Sequence, residues 1–190
     1  MAKINPNGET RQEILRAAIK RFAHSGYAAT SVQQIVADAK VSKPALYYYF
    51  KDKAGLFQAL VDEAHDARYA LLQEAATRGQ DIRGQLEAIL EGLFDYFAKN
   101  RELVRISIAT MFAAPGEVPE GLDCRKKCER NFEFLHSLIR VARERGELDR
   151  RFDSLELTYG FYGLTNFYLA ANLIMPDCKP DQRVAGHIVD

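Results

Sequence analysis

The sequence predicts an all-α protein with a small N-terminal three-helix unit and a larger C-terminal helical bundle. Three observations predict this class. Apolar residues recur at helical spacing, and no segment shows the strict alternation of a half-buried strand. Capping residues, glycines and prolines divide that pattern into successive helices. Two N-terminal helices are short and lie only a few residues apart, which is the spacing of a helix-turn-helix.

The first helix is predicted to begin at a capping box and to end at a glycine. In Thr10-Arg-Gln-Glu13, the Thr10 hydroxyl can accept the Glu13 amide proton while the glutamate reaches back. Apolar residues then follow at helical spacing as far as Phe22. Gly26 supplies the stop, because glycine readily adopts the left-handed conformation that closes a helix.

The next two helices form the predicted helix-turn-helix. Ser31-Val-Gln-Gln34 resembles a capping box for the second helix, and Ser42 caps the third, with Pro44 in its first turn. Leu46 and Phe50, four residues apart, share the inward face of the third helix. Lys43, Tyr47 and Tyr48 therefore point outward, which suits a groove walled by phosphates. Asp52 is predicted to cap a fourth helix.

The rest of the chain is predicted to be helical, with one loop. A strong apolar stripe runs from Ile82 to Phe97, and the alanine, proline and glycine content of residues 113–121 indicates a loop. The remaining predicted helices are Leu103–Met111, Leu122–Arg145, a segment from Asp153 or Ser154 to Pro176, and a short last helix opened by Pro180-Asp181.

Composition indicates a folded protein of one or two domains in a reducing compartment. The 190 residues are 47% hydrophobic and 27% charged, which is ordinary for a globular protein. Three cysteines are too few, and odd in number, for a disulfide scaffold. The N-terminus is polar and lacks the apolar core of a secretory signal. We therefore expect a cytoplasmic protein.

One segment has the length of a membrane span. Residues 157–176 contain no charged side chain, and a stretch of that length can cross a bilayer. The segment also contains Thr158, Thr165, Asn166, Asn172 and three tyrosines, which makes insertion costly. A buried helix of a bundle is the preferred interpretation, and no membrane association is expected.

The charge is distributed unevenly, although the chain as a whole is neutral. Residues 3–53 contain nine Lys and Arg against four Asp and Glu, and the remainder contains 17 against 22. A basic first quarter on an acidic body suggests a polyanionic partner for that quarter alone. Chance variation in composition is the alternative.

The N-terminal residues resemble those of TetR-family transcriptional regulators, over about a quarter to a third of the chain. Beyond Ala64 only the general pattern of a helical regulatory domain is shared. The most specific part is Leu46-Tyr-Tyr-Tyr-Phe-Lys-Asp-Lys53. The other matching runs are Arg16-Ala-Ala-Ile-Lys-Arg-Phe-Ala-His-Ser-Gly-Tyr27, Thr30-Ser-Val-Gln-Gln-Ile-Val-Ala-Asp-Ala39, Val41-Ser-Lys-Pro-Ala45 and Leu56-Phe57.

This resemblance implies a homodimeric, ligand-responsive regulator that binds a double-stranded, palindromic DNA operator. Residues 1–52 would form the helix-turn-helix DNA-binding domain, with 1–9 as a flexible arm, and residues 53–190 the regulatory and dimerisation domain. Repression relieved by a small-molecule effector is preferred, and activation stays open. The implied DNA contacts are Thr30, Ser31, Ser42, Lys43, Pro44, Ala45, Tyr47, Tyr48 and Lys53, with Tyr49 ranked lower because Leu46 draws it toward the core.

Physical chemistry supports three of these contacts independently. Lys53 lies near a helix N-terminus, where the helix dipole favours an anion. Lys43 can donate to guanine O6 and N7, and Ala45 can pack on a thymine methyl group. Simple solvation is the alternative for both lysines, and core packing is the alternative for the tyrosines.

The long uncharged helix near the C-terminus is predicted to separate a ligand pocket from a dimer interface, because a helix that is apolar all round must be covered on several sides. A single filled core is the alternative. The effector would be apolar or aromatic, with an acidic or carbonyl end near Arg105. The predicted pocket residues are Phe94, Phe97, Arg105, Met111, Phe132, His136, Tyr162 and Asn166; the predicted dimer residues are Gly160, Gly163, Phe167 and Ala171.

The resemblance also implies a long final helix that pairs across the dimer, whereas only nine residues follow Asp181. Either the dimer is weaker, or it relies on Gly160–Asn172, or the chain has been shortened.

No catalytic function, metal or cofactor is expected. Cys124 and Cys128 lie one helical turn apart with three cations between them, so redox sensing is conceivable, but no third metal ligand is evident nearby. Glu133-Phe-Leu-His136 has the spacing of a di-iron motif, which would need a second copy. Phosphate-loop, dinucleotide and nucleophile-elbow motifs are missing. The competing hypothesis is a helical-bundle ligand carrier or enzyme in which the helix-turn-helix is incidental.

Overall fold

The computed structural model describes residues 8–175 and 181–190, and these residues form helices and turns without strands. This confirms the predicted all-α class. The helices are α1 Glu9–Ala29, α2 Val32–Asp38, α3 Lys43–Phe50, α4 Lys53–Ala76, α5 Ile82–Lys99, α6 Arg101–Met111, α7 Arg125–Glu144, α8 Ser154–Ile174 and α9 Gln182–Val189.

The predicted start of α1 is wrong, whereas its predicted stop is confirmed. Gly8, at φ 75°, occupies the N-cap, and no side chain caps the helix. Thr10 lies inside the first turn and is buried, so it is not the N-cap of a capping box. At the other end, Gly26 leaves the helical conformation (φ 76°, ψ 169°), and Tyr27–Ala29 form a further short turn.

The other predicted caps are confirmed. Ser31 and Gln34 form a reciprocal capping box on α2. The Ser42 hydroxyl accepts the Ala45 amide proton, with an N–O distance of 3.3 Å. The Asp52 carboxylate accepts the Gly55 amide proton at 2.7 Å. Each cap satisfies an amide that a helix start leaves unpaired, so the sequence positions α2, α3 and α4 locally.

The chain divides into two compact units, each described here by itself. Unit 1 comprises the described residues up to Ala64 together with Glu102–Cys124. Its core joins α1, α2, α3, the first part of α4, and α6. Phe22, Tyr27 and Phe57 form an aromatic cluster in it, with ring centroids 5.1–5.9 Å apart. Fully or nearly fully buried members of this core are Ile14, Leu15, Ala18, Ile35, Leu46, Leu56, Leu60 and Val61.

Unit 2 comprises His65–Arg101 and the described residues from Arg125 onward. In it α7 packs on α8, α9 packs on α5 and α8, and α5 also contacts α7 and α8. The helix α4 is continuous and contributes to both units. The core is apolar, with Leu72, Leu86, Ile89, Leu90, Leu93, Phe94, Phe97, Leu135 and Ile139 buried.

The predicted boundary after residue 52 separates a DNA-binding domain from a regulatory domain. It is a functional division, and it stays a prediction. The compact units divide the chain elsewhere, because the first part of α4 and residues 102–124 pack with the N-terminal helices. Among the described residues, no helix is both long enough and apolar enough to cross a membrane.

Candidate nucleic-acid interface

One face of α3 is exposed, and the opposite face is anchored in the core of unit 1. Leu46 is 0% exposed and Phe50 6%, whereas Tyr47 is 47% and Tyr48 79% exposed. Lys43 and Pro44 are exposed as well. The outward placement predicted for the lysine and the two tyrosines is therefore confirmed. The half-buried Tyr49 packs edge-on against Tyr48, with ring centroids 5.0 Å apart.

Two predicted contact residues lie in the core rather than at the surface. Ala45 is 4% exposed, because positions 45 and 46 both face inward in the phase that buries Leu46. Thr30 is 2% exposed, and its hydroxyl donates to the Gly26 carbonyl oxygen at 2.7 Å. Both side chains therefore have structural positions, and the predicted contacts of Ala45 with a thymine and of Thr30 with a phosphate stay predictions.

The two predicted serines hold helix starts in place. Ser31 is exposed, and its hydroxyl accepts the Gln34 amide proton at 3.3 Å. Ser42 is half-buried and caps α3. These bonds fix where α2 and α3 begin, and they leave the first turn of α3, with Lys43 and Pro44, at the surface.

Lys53 joins three segments of unit 1. Its Nζ donates to the carbonyl oxygens of Tyr27 and Thr30, both at 2.9 Å, and lies 4.1 Å from the centre of the Tyr27 ring. Burial lowers the pKa of this ammonium group from its ordinary value, because the charged form loses hydration. Lys53 therefore connects the end of α1 and the approach to α2 with the start of α4, a role that the sequence did not reveal.

An ion pair between α1 and α2 was also missed by the sequence analysis. The Arg21 guanidinium donates to both carboxylate oxygens of Asp38, at 2.5 and 2.8 Å. The hydrogen bonds from Arg21 hold the pKa of the Asp38 carboxyl below its usual range. No short-range pattern could have paired residues 17 positions apart.

Two further lysines flank the exposed face of α3. Lys40 and Lys51 are both exposed and both have left-handed backbone conformations, with φ 54° and 63°. Lys40 follows α2 and Lys51 ends α3. The charge count included both lysines, but motif reasoning did not single them out as neighbours of α3 along the chain.

Comparisons with known proteins agree with this geometry. Residues 14–60 match the family model described as bacterial regulatory proteins, tetR family. The HTH-type transcriptional regulator TtgR of Pseudomonas putida is 31% identical over 176 residues, which cover 89% of this chain and 82% of the relative. The chain belongs to the TetR family.

Solved structures show the same fold. The fatty acid degradation regulator FadR from Bacillus halodurans has a TM-score of 0.82 at 19% identity, covering 98% of this chain and 94% of that one. FadR from Bacillus subtilis, in complex with stearoyl-CoA, has a TM-score of 0.75 at 20% identity, covering 94% and 95%. The chain spans only 46–59% of the length of three other curated relatives that it matches.

Four of the eight residues predicted to line the effector pocket of this TetR-family chain lie together in unit 2. The Phe132 ring centre is 5.8 Å from that of Tyr162 and 6.3 Å from that of His136. Asn166 accepts a hydrogen bond from Arg68, with an N–O distance of 3.3 Å. These four side chains, together with Arg68 of α4, are called the α7–α8 cluster below.

The other four predicted pocket residues are not part of this cluster. Phe94 and Phe97 are buried in the core of unit 2. Arg105 and Met111 belong to unit 1 and are exposed, because α6 turns Leu103 and Ile106 toward the core of that unit. The predicted role of Arg105 as the polar anchor of a pocket stays a prediction.

Arg68 is the functional candidate that the sequence analysis missed. Its guanidinium lies 4.7 Å from the centre of the Tyr162 ring. Its Nε is buried and has no hydrogen-bond partner among the described residues, and the same holds for Oδ1 of Asn131, which is 0% exposed. Buried polar atoms are usually paired, so these two atoms and Nε of Arg130 are exceptions among the described residues. No motif in the sequence signals Arg68.

The helix α8 presents the predicted dimer residues at the surface of unit 2. Gly160, Gly163 and Phe167 are exposed, Phe167 by 71%, and Ala171 is half-buried. A Cβ atom added at either glycine would meet nothing within 4 Å. Leu164 and Ile174 extend this apolar face. Its use in a dimer stays a prediction.

One structural observation bears on the hypothesis that Cys124 and Cys128 sense the redox state. The Cys128 sulfur lies 3.6 Å from Nε2 of His65 in unit 2. Cys124 and Cys128 are not joined by a disulfide in the described part of the chain. Redox sensing stays a prediction.

Replacing Thr30 with valine tests whether its buried hydroxyl group stabilises unit 1. The variant keeps the side-chain shape but leaves the Gly26 carbonyl oxygen without its buried donor, so we expect the free energy of unfolding to fall by about 1–2 kcal/mol in urea denaturation. Thr77→Val is the matched control, because the exposed Thr77 hydroxyl also donates to a backbone carbonyl, at 2.7 Å. Equal stability of the two variants would contradict the buried structural role.

Proposed function

We propose that this chain is a ligand-responsive transcriptional regulator that binds operator DNA through the exposed face of α3. The observation that carries the proposal is this face itself: Lys43, Pro44, Tyr47 and Tyr48 point outward from a short helix whose other side is fixed in the core. A rigid helix with exposed polar and aromatic side chains in its first turns is suited to the major groove.

The proposed contacts divide into base-reading and positioning groups. Lys43 is placed to donate to guanine in the groove, and the two tyrosines to contact bases or sugar-phosphate. Lys40 and Lys51, at the two flanks, add attraction to the phosphate backbone, which supplies much of the affinity for DNA. Lys53 supports this surface from behind by joining the segments that carry it.

The competing hypothesis is a ligand carrier or enzyme with an incidental helix-turn-helix. Family membership and a relative named as a transcriptional regulator favour the regulator. The exposure of the α3 face favours it too, because a merely structural helix would have no need of two exposed tyrosines in successive positions.

A homodimer is proposed because a palindromic operator requires two recognition helices about 34–36 Å apart, or a multiple of this distance. The apolar face of α8 around Gly163 and Phe167 is the proposed seam: large exposed apolar patches mark association surfaces, and the glycines permit close backbone approach.

The effector is proposed to bind at the α7–α8 cluster of unit 2 and to release the operator. Aromatic rings supply the apolar walls, and Arg68 supplies a cation for an acidic or carbonyl group. The stearoyl-CoA complex of a structural neighbour is consistent with a ligand that combines apolar and anionic parts. Release follows when the effector binds better to a dimer whose α3 helices are differently spaced.

Removing the outward side chains of α3 tests DNA binding. Lys43→Ala and Tyr47→Ala should each weaken operator binding about tenfold or more, since a good base contact contributes about 1–3 kcal/mol. The measurement is fluorescence anisotropy on DNA from upstream of the chain's own gene, or on a site selected from a random pool, across a salt series with random competitor. Lys99→Ala, at an exposed lysine on α5, is the control. Unchanged operator affinity in both α3 variants would contradict the proposal that this face binds DNA.

Phe167→Arg tests the dimer seam. A charge on this face should convert the dimer into a monomer at micromolar concentration, because an unpaired buried charge is costly. Light scattering after size-exclusion chromatography measures the mass. Phe112→Arg, at an 83% exposed phenylalanine in unit 1, should stay dimeric. A monomeric parent chain would contradict the two-half-site mechanism.

Arg68→Met tests the polar anchor of the effector site. We expect the variant to bind 2-naphthoate at least tenfold more weakly than the parent chain does, and to bind uncharged 2-naphthol equally well, both measured by calorimetry. Arg105→Met removes a cation from the position that the sequence had indicated, and it should leave both affinities unchanged. If Arg105→Met alone lost naphthoate binding, Arg105 rather than Arg68 would be the polar anchor.

A further inference from the structure

Unit 1 contains a cavity of about 320 Å³ that the proposed effector site does not use. It lies beside the kinked end of α1, with Phe57 of α4, the last turns of α6 and the following loop as its other walls. The residues that shape it are Phe22, Tyr27, Phe57, Ile106, Thr110 and Val118. All lining residues belong to unit 1.

The walls of this cavity are aromatic and aliphatic. The rings of Phe22, Tyr27 and Phe57 contact one another at its inner end, in tilted and edge-on arrangements. Glu117 is the one lining residue with a carboxylate, and none of the lining residues carries a cationic group. It is exposed at the rim, and its carboxylate already accepts the Ala114 amide proton at 2.9 Å. A charged ligand would therefore gain no partner to replace its hydration.

Thr110 supplies the polar group of the lining that is best suited to orient a ligand. Its hydroxyl donates to the Ile106 carbonyl oxygen at 2.8 Å, so its oxygen lone pairs stay available as acceptors. The volume lies at the low end of the range of small-molecule sites, about 300–1,000 Å³, which favours a ligand of one or two fused rings.

We propose that this cavity binds a small, uncharged aromatic molecule that carries one hydrogen-bond donor. The ring packs against the Phe22–Tyr27–Phe57 cluster, and the donor bonds to the Thr110 hydroxyl. Aromatic edges and faces gain from such contacts beyond the area they bury. This site is separate from the α7–α8 cluster, whose cation selects a different ligand chemistry.

Occupancy of the cavity acts on the DNA-facing helices through Tyr27. The Tyr27 ring forms part of the wall, and the same residue holds Lys53 by its ring and its carbonyl oxygen. Lys53 also bonds the carbonyl oxygen of Thr30, which directly precedes the Ser31 cap of α2. A ligand that favours one position of Tyr27 therefore biases how α2 and α4 begin. This consequence for operator affinity rests on the proposed function, whereas binding itself does not.

Binding is tested with indole, without DNA, by methyl NMR on the full chain labelled at its alanine methyl groups. We expect saturable shifts at Ala28, Ala29, Ala109 and Ala113, which line the cavity, and none at Ala37, which is exposed on α2 outside it. Benzothiophene, which has the same shape without the N–H donor, should bind more weakly. Shifts that do not saturate, or that concentrate outside these four alanines, would overturn the proposal.

Two variants test the same site. Ala109→Phe adds bulk at a lining residue and should weaken indole binding at least tenfold, whereas Met111→Phe adds bulk at a residue of α6 that does not line the cavity and should have no effect. Thr110→Val should remove the preference for indole over benzothiophene while the thermal unfolding midpoint stays near that of the parent. Unchanged indole affinity in Ala109→Phe, in a variant with parent-like circular dichroism, would overturn the site.

The effect on operator affinity is then measured by anisotropy with and without saturating indole. A change of at least threefold that is lost in Ala109→Phe supports the coupling through Tyr27. Binding of indole with unchanged operator affinity overturns the coupling alone, and failure of the parent chain to bind any operator overturns the proposed function while leaving the cavity site standing.

Discussion

The bonds of Lys53 to two backbone carbonyl oxygens are the constraint on which the N-terminal unit depends. Gly26 interrupts α1, so the carbonyl groups of Tyr27 and Thr30 lie outside regular helix. The Tyr27 oxygen accepts the Thr30 amide proton at 3.3 Å, and each of the two oxygens accepts a further bond from Lys53. One ammonium group supplies both bonds. Since Thr30 directly precedes Ser31, the N-cap of α2, and α4 begins at Lys53 itself, this one side chain connects α1, α2 and α4.

This arrangement explains why the recognition face can be polar and still be rigid. The face of α3 contributes little to its own stability, because its outward side chains have few contacts. Leu46 and Phe50 hold the helix from inside, Ser42 fixes its start, and the Arg21–Asp38 pair secures the neighbouring α2. The outward residues of α3 are thereby available for the proposed recognition of DNA, and the helix is held by residues on its other side.

The sequence predicted the features that depend on local chemistry. The caps at Ser31, Ser42 and Asp52 were found because a cap and its partner lie three residues apart, and the outward tyrosines were found because helical phase follows from Leu46 and Phe50. The burial of Ala45 was missed for a related reason: a resemblance transfers a contact position without regard to the local phase. The position of Thr10 failed because the left-handed Gly8 starts α1 earlier.

Features that depend on tertiary structure were beyond the sequence. Arg105 and Met111 were assigned to an effector pocket on composition alone, yet the packing of Leu103 and Ile106 turns them to the surface of the other unit. Arg68 has no local signature, since its partners Tyr162 and Asn166 lie more than 90 residues away along the chain. A ligand site built from distant helices can be recognised only once those helices are packed.

The two proposed ligand sites differ in the physical basis of their selectivity. In the α7–α8 cluster the half-buried Arg68, whose buried Nε has no partner among the described residues, is proposed to favour an anionic or carbonyl group, because leaving that donor unsatisfied is costly. In the cavity of unit 1 the walls offer ring contacts and hydroxyl groups but no cation, so a charged ligand would be penalised. Each site therefore rejects the ligand that the other prefers. On this proposal two chemically distinct signals would act without competition, and because Tyr27 contacts Lys53 directly, the uncharged signal would act within the unit that is proposed to bind DNA.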